Sequence, residues 1–183
     1  MAANSSNNFW SNPNFEPKRG FRFLIEFTPP GAPTSLKYVA KSVDRPSYSI
    51  TSTPHAFFNH TFYYPGRVTW NTLQLTLVDA VEPNTSKVLY DYLLNTGIAN
   101  PTDLNDAINT TITKATATAA LGKLVIKEMI TDGASPAAIE GGKWDLINAF
   151  ATEVNFGSHS YDSEDLIDVT LTIQYDWAVY SAQ

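Results

Sequence analysis

The stretch "VTLTIQYDWAVY", residues 169–180, decides how this chain folds. Its side chains alternate in type, and successive side chains of a β-strand point to opposite faces of a sheet. The odd positions are large and apolar, which predicts a face turned to a core: Val169, Leu171, Ile173, Tyr175, Trp177 and Val179. The even positions are mostly small or polar with a single charge: Thr170, Thr172, Gln174, Asp176, Ala178 and Tyr180. Because charge usually protects an exposed or edge strand, the pattern raises the question of what this second face meets.

The same alternation predicts further strands upstream. They are "GFRFLIEF" (20–27), "LKYVAKSVD" (36–44), "VTWNTLQLTLVD" (68–79) and "GKLVIKEMI" (122–130), and the outer face of the third strand, with Thr72, Gln74 and Thr76, is again polar and uncharged. The aromatic-rich region 47–67 reads as β structure, with a type II turn at "YPG" (64–66).

One segment has a helical period instead. Residues 82–97 predict a helix with Asn84 or Thr85 as N-cap and Gly97 beyond its end. Residues 102–120 fit a helix or an irregular excursion equally well, and residues 143–157 are predicted to be partly helical or bulged. The count of five to seven strands and one helix predicts a mainly β fold, an antiparallel β-sandwich or barrel with one flanking α-helix. We expect residues 1–18 to form a flexible or partner-ordered arm and 19–183 a single domain.

Composition narrows the function. The 183 residues carry a net charge of −6 and scattered Lys and Arg, so we expect no tight binding of nucleic acid. The absence of cysteine excludes disulfides and thiolate metal ligands. We expect no signal peptide and no membrane insertion, since no apolar run approaches the ~20 residues of a membrane helix.

The sequence shows no pattern typical of a catalytic or metal-binding site. On one strand, His55 and His60 would point to opposite faces, which is a poor arrangement for a shared metal. The acidic run "YDSEDLID" (161–168) lacks the glycine of a calcium loop, so we read it as a solvated acidic turn. No serine lies in a nucleophile-elbow motif. We therefore predict no enzyme, no catalytic residue, no metal and no cofactor.

Taken in order, several runs resemble the tail tube protein of contractile-tailed bacteriophages. They are "YVAKSVDRPSY", "FYYPGRVTWNTLQLTLVD", the helix, "GKLVIKEM" and "DVTLTIQYDWAVY", and the resemblance spans residues 19–180. It implies homo-hexameric rings that stack into the inner tail tube. It also implies a sheath protein outside, the tape-measure protein and genomic DNA inside without tight binding, and baseplate and terminator proteins at the ends. The protein would be assembled in the host cytoplasm and belong to the virion.

Within that resemblance, the polar strand face would meet a neighbouring subunit or the channel, and exposed aromatics would meet an adjacent ring. The predicted interface residues are Trp10, Phe57, Phe58, Phe62, Tyr63, Tyr64, Thr170, Thr172 and Gln174. An acidic channel wall would repel the phosphate backbone of DNA. The predicted wall residues are Glu26, Glu128 and Asp176.

Other readings remain open at this point. A tube initiator or other baseplate protein, and the inner-tube component of a phage-like injection machine, fit the same pattern. A monomeric β-sandwich carbohydrate-binding module would also show exposed aromatics on polar strands. A small β-rich enzyme is the remaining alternative.

Overall fold

The computed structural model describes residues 17–28, 39–98, 112–130, 139–162 and 164–182. Within these ranges the chain forms ten β-strands and two α-helices. Their bounds are β1 Phe23–Thr28, β2 Ala40–Val43, β3 Tyr48–Phe57, β4 His60–Trp70, β5 Leu73–Val78, α1 Thr85–Asn95, α2 Lys114–Leu121, β6 Lys123–Ile130, β7 Ile139–Ile147, β8 Phe150–Asn155, β9 Asp168–Gln174 and β10 Trp177–Ser181. No helix of the described residues is long and apolar enough to cross a bilayer.

The strands form two four-stranded sheets and a separate hairpin. Sheet A has the order β1-β6-β7-β10, sheet B has the order β2-β5-β9-β8, and β3 pairs only with β4. Every pairing is antiparallel. The predicted mainly β, antiparallel fold is therefore confirmed, and the prediction of five to seven strands was too low.

A single hydrophobic core lies between the two sheets and the helices. In sheet B, Leu75 of β5 lies opposite Leu171 of β9, and both side chains are fully buried. In sheet A, Ile25 of β1 lies opposite Ile126 of β6 in the same cluster. The alternating pattern thus places its apolar residues inside, as predicted.

The stretch 169–180 is two strands rather than one. Strand β9 ends at Gln174 in sheet B, and β10 begins at Trp177 in sheet A. The link crosses from one sheet to the other, which reverses the set of positions that faces the core. Trp177 and Val179 are therefore about half exposed, at 46% and 43%, while Ala178 packs against the core. The prediction of one continuous apolar face holds only as far as Tyr175.

The predicted helix is confirmed as α1. Its N-cap is Asn84, whose side-chain oxygen accepts a hydrogen bond from the Lys87 amide at 2.7 Å. Gly97 follows the C-cap Thr96 with a φ of 102°, a conformation that suits glycine. Helix α2 accounts for the end of the Ala- and Thr-rich region, and residues 102–111 lie outside the described residues.

One open prediction is resolved and another needs correction. Of the two predicted possibilities for residues 143–157, partly helical or bulged, the bulged one is confirmed: these residues form most of β7 and all of β8, with a turn at Asn148 and a bulge between Ala151 and Glu153. The turn and the bulge shift the alternation, which explains the mixed period of the sequence. The predicted strand 68–79 is interrupted at residues 71–72, where β4 ends and β5 begins. The part of the predicted strand 36–44 that precedes Val39 lies outside the described residues.

Candidate subunit interface

The β3–β4 hairpin, residues 48–70, is the most exposed structured part of the described chain. Every residue of β3 is exposed, and so is every residue of β4 except Trp70. Its large exposed apolar side chains are Tyr48, Ile50, Phe57, Phe58, Phe62, Tyr63, Tyr64 and Val68. A two-stranded hairpin without core packing is only marginally stable in water, and a patch of exposed aromatics marks a contact surface.

The hairpin register gives both of its faces aromatic residues. Phe57 lies opposite His60 and His55 lies opposite Phe62, and these pairs share one face. Tyr63 lies opposite Pro54 on the other face. Aromatic side chains therefore lie on both faces of the hairpin, and Phe57 and Phe62 share one of these faces. The prediction that His55 and His60 point to opposite faces was wrong, because they lie on two paired strands, and opposite partners share a face.

The hairpin turn carries an unusual residue. Phe58 has a φ of 53° in the two-residue connection between β3 and β4. Left-handed backbone in such turns normally calls for Gly, Asn or Asp. The Phe58 ring lies edge-on to the Phe57 ring, with centroids 4.5 Å apart, and Phe58 is 88% exposed. The turn therefore presents an aromatic ring at a position where the backbone favours a smaller residue.

The "YPG" segment is not a turn. Pro65 and Gly66 lie inside β4, at a register shift between Ile50 and Ser52 of β3. A Cβ added to Gly66 would lie 2.4 Å from the Thr51 hydroxyl oxygen, so only glycine fits this close approach of the two strands. The Pro-Gly pair instead marks a bulge, one of the places where a strand accepts Pro and Gly.

The outer side of sheet B forms a second candidate surface, which we call the polar face. Gln74 lies opposite Thr172, and Thr76 lies opposite Thr170. The two uncharged strand faces that the sequence shows separately are therefore one continuous surface. Its uncharged polar members are Ser42, Gln74, Thr76, Asn155, Thr170, Thr172 and Gln174. The register also places Phe150 opposite Gln174 and Glu153 opposite Thr172, and Asp168, which pairs with Lys41, continues the face beyond Thr170. Thr72 lies in the link before β5 rather than on a strand.

The three predicted channel residues lie in different places. Glu26 is on the outer side of sheet A, where its carboxylate pairs with Lys127 at 2.8 Å. Asp176 is in the β9–β10 link and pairs with Lys114 at 2.6 Å. Hydrogen bonds from Lys114 and then Asn148 lower the pKa of Asp176. The structure therefore does not bring these two carboxylates together.

Glu128, the third predicted channel residue, lies opposite Phe23 on the core-facing side of sheet A. Its side chain is 13% exposed and pairs with Lys18 and with Arg45, the latter at 2.7 Å. Burial opposes its ionisation, but the Lys18 hydrogen bond and the charges of Arg45 and Lys18 outweigh it, so the pKa of Glu128 is lowered. As a channel-lining residue, Glu128 remains a prediction.

One predicted interface residue lies outside the described residues, and two exposed residues were not predicted. Trp10 lies outside the described residues. Among the described residues no cluster of three or more His, Cys, Asp or Glu side chains is arranged to hold a metal ion. Tyr48 and Ile50 are exposed hairpin residues that were not among the predicted interface residues, although their alternation with Ser49 indicates a strand with one apolar face.

Comparison with known proteins gives matches only at the level of structure. No protein-family model and no curated protein sequence matches the chain. A chain in the cryo-EM structure of the anti-feeding prophage tube terminating cap matches with a TM-score of 0.60 and 14% identity, over 92% of this chain and 93% of that one. A chain in the baseplate of the anti-feeding prophage gives 0.59 and 14%, over 92% and 97%.

A third match comes from the sheath-tube complex of an extracellular contractile injection system, PVC, in the extended state. Its TM-score is 0.57 with 18% identity, over 91% of this chain and 93% of that one. The matches span nearly the whole of both chains, so the described chain has the fold of subunits found in contractile injection particles.

Proposed function

We propose that this chain is the structural subunit of the inner tube of a contractile particle, a phage tail or a phage-like injection machine, and that it polymerises as stacked, hexameric rings. In this proposal residues 19–183 are one domain, and the chain catalyses no reaction. The observation that carries the proposal is the exposed aromatic hairpin on a fold shared with contractile injection particles.

The hairpin supports a contact between subunits. Its side chains would remain in water in a monomer, although burying a large apolar side chain contributes about 1.5–3 kcal/mol. Aromatics on both faces, such as Phe62 and Tyr63, allow it to lie between two other surfaces rather than on one. We therefore propose that the hairpin inserts between neighbouring copies in the ring or in the next ring.

The polar face supports a passage for a charged polymer. A protein surface holds DNA through Lys and Arg side chains, and Lys41, the cation next to this face, is already paired with Asp168. Hydroxyls and amides such as Thr170, Thr172 and Gln174 solvate a passing chain without neutralising it. We propose that this face lines the channel for the genome and tape-measure protein, and that the pairing of its cation keeps binding weak.

Ion pairs within the chain argue against a strongly acidic channel wall made by Glu26, Glu128 and Asp176. Glu26, Glu128 and Asp176 each face a lysine of the same chain, so much of their charge is compensated locally. We propose that they fix local geometry and add a weak acidic background, rather than forming a strongly negative wall. Glu26 and Asp176 are the more exposed of the three.

The remaining partners follow from the same assembly. We propose a sheath protein around the tube, and baseplate and terminator proteins at its ends, in a particle assembled in the host cytoplasm. A tube initiator or other baseplate component would share these surfaces. The structural matches come from two injection particles, so they support an injection machine at least as well as a phage tail.

The test is negative-stain electron microscopy of the purified protein, with mass photometry on the same sample. We expect rings or hollow filaments, and a hexamer mass if the rings form before stacking. Persistent 20.2 kDa monomer at high concentration would contradict the proposal. In that case a glycan array would test the carbohydrate-binding module, and glycan binding by the monomer would replace the tube proposal.

The role of the hairpin is tested by Phe62→Ser/Tyr63→Ser. This variant should keep the circular dichroism spectrum of the wild type and lose ring formation. A Val81→Ser variant removes an exposed apolar side chain outside the hairpin and should still assemble. Normal assembly of the hairpin variant would exclude the hairpin from the interface.

A further inference from the structure

The β3–β4 hairpin carries no permanently charged residue over most of its length. Residues 46–66 form the longest run of the chain without Lys, Arg, Asp or Glu. Histidine is the only side chain that ordinarily changes its charge between about pH 5 and about pH 8. The run contains two histidines, His55 and His60. The charge of the hairpin surface near neutral pH therefore depends on these two side chains.

The strand register places both histidines on one face of the hairpin. His60 lies opposite Phe57, and His55 lies opposite Phe62, two positions further along the strands. The two histidines are therefore diagonal neighbours on paired strands, within about 8 Å of each other. Both are exposed, and so are the two phenylalanines. The imidazoles thus lie inside the exposed aromatic patch rather than beside it.

Other titratable or charged groups of the described hairpin lie further from the pair or are neutral near pH 7. Tyr64, opposite Thr53, shares the face of the histidines, and phenols ordinarily ionise only near pH 10. Arg67, on β4, lies five positions beyond the partner of His55, which is about 16 Å along the strand. Strands β3 and β4 pair only with each other among the described strands, so no other strand brings a carboxylate to this face.

Burial of this face between subunits would favour the neutral form of the histidines. A neutral imidazole can be buried among aromatic rings with little polar surface to satisfy, whereas an imidazolium loses its hydration. Each histidine already lies opposite a phenylalanine in the free subunit, so attraction between a cation and these rings does not favour the assembled state over the free one. Protonation therefore favours the free subunit.

We propose that His55 and His60 make the contact between subunits sensitive to pH. The hairpin binds a second copy of this chain when both histidines are neutral, and releases it when they are protonated. The inference rests on the proposed function, since it adds a control to the contact that the hairpin makes there. A second copy suits the neutral hairpin, because each copy has a net charge of −6 and a patch without carboxylates adds no repulsion between copies.

The direction and size of the effect follow from proton linkage. The free subunit binds more protons than the assembled one, so the contact is strongest at high pH and weakens as the pH falls through the range in which histidine titrates. A tenfold loss of proton affinity on burial of each imidazole raises the concentration for half-maximal assembly about fivefold per histidine between about pH 7.5 and about pH 5.5. The two histidines together give a rise of about 25-fold.

The test measures the concentration for half-maximal assembly of the full chain by light scattering, at about pH 7.5 and about pH 5.5 in about 0.15 M salt. The lower pH stays above the isoelectric point of about 4.9, and electron microscopy distinguishes rings from amorphous aggregate. The wild type should show the rise at the lower pH. His55→Gln/His60→Gln should assemble as the wild type does at the higher pH and lose the rise, and each single variant should keep about a fivefold rise.

Two controls separate the hairpin from the rest of the chain. His159→Gln removes the remaining histidine, which is exposed and lies outside the hairpin, and should keep the full rise. His60→Lys carries a charge at both pH values and should need about tenfold more protein to assemble at the higher pH. Circular dichroism at both pH values reports whether each protein stays folded.

Each outcome supports or overturns the proposal. A rise in the wild type that His55→Gln/His60→Gln loses supports it. An equal threshold of the wild type at the two pH values, or a rise that the double variant keeps, overturns it and leaves the tube proposal intact. If the double variant does not fold, the same comparison is made with the single variants, and a full rise in both overturns the proposal. A wild type that stays monomeric at both pH values overturns this proposal and the tube proposal together.

Discussion

The hairpin turn offers a substitution that should affect folding and assembly in opposite ways. Phe58→Gly removes an aromatic side chain from a position with a φ of 53°. Left-handed backbone at a bulky residue costs on the order of 1–3 kcal/mol, which glycine relieves. Against this, the variant loses the edge-on contact with Phe57, which contributes about 0.5–1.5 kcal/mol. The free energy of unfolding should therefore stay the same or rise by about 1 kcal/mol.

Assembly should respond in the opposite direction. The Phe58 side chain is 88% exposed in the subunit, so almost all of its apolar surface is available for burial between subunits. Burial of such a side chain contributes about 2 kcal/mol, which corresponds to a roughly 30-fold higher concentration for half-maximal assembly in the variant. Chemical denaturation measures the first quantity, and light scattering over a dilution series measures the second.

The control for this experiment is Val81→Ser, which removes another exposed apolar side chain, 92% exposed and outside the hairpin. It should change neither quantity by more than about 0.5 kcal/mol. Two results would refute the reasoning. If Phe58→Gly destabilises the monomer by several kcal/mol, the Phe58 side chain stabilises the folded monomer itself. If its assembly threshold equals that of the wild type, the turn makes no contact between subunits.

Three further substitutions test other parts of the argument. Leu171→Ala, at a fully buried position of β9, should lower the free energy of unfolding by about 2–5 kcal/mol in urea denaturation; a loss below about 1 kcal/mol would contradict the central place of β9. Gly66→Ala should distort the hairpin, because its Cβ would lie 3.0 Å from the Thr51 carbonyl oxygen, whereas Gly20→Ala meets no atom within 4 Å; amide exchange should rise in the hairpin of the first variant only. Glu128→Gln should lose less stability than the wild type as the pH falls from about 6 to about 3. The lowered pKa of Glu128 stabilises the fold above about pH 4.3, and that contribution disappears as the pH falls through the folded-state pKa. If urea titrations show that the wild type and Glu128→Gln lose the same stability at low pH, the Glu128 ion pairs are not the source of the acid sensitivity.

The strands with an uninterrupted alternation could be read from the sequence. Leu73, Leu75 and Leu77 alternate with polar residues and are buried in β5, and the period of α1 and its Asn84 cap predict that helix correctly. In each case the local residue pattern matches the side of the element that packs against the single hydrophobic core. Strand bounds could not be predicted where the chain changes sheet or adds a bulge, because a sheet change or a bulge shifts the alternation without changing residue type.

The candidate surfaces could be predicted only in part. Aromatic residues in 47–67 indicate a contact surface, but the pairing of β3 with β4 decides which rings share a face. The polar face requires Gln74 to lie beside Thr172, on two strands that are far apart in the chain. The ion pair between Arg45 and Glu128 is least visible in the sequence, since the two residues meet only in the folded chain.

The link between β9 and β10 has a mechanical consequence. Tyr175 is 2% exposed at the point where the chain crosses between sheets, and its ring centroid lies 5.9 Å from that of Trp70 at the base of the hairpin. Trp70 in turn contacts Tyr48, with centroids 5.3 Å apart, across the two hairpin strands. The aromatic contacts thus connect the hairpin to the segment in which the backbone passes from sheet B to sheet A. We therefore expect a pull or a twist on the hairpin to move the two sheets together rather than to slide one over the other.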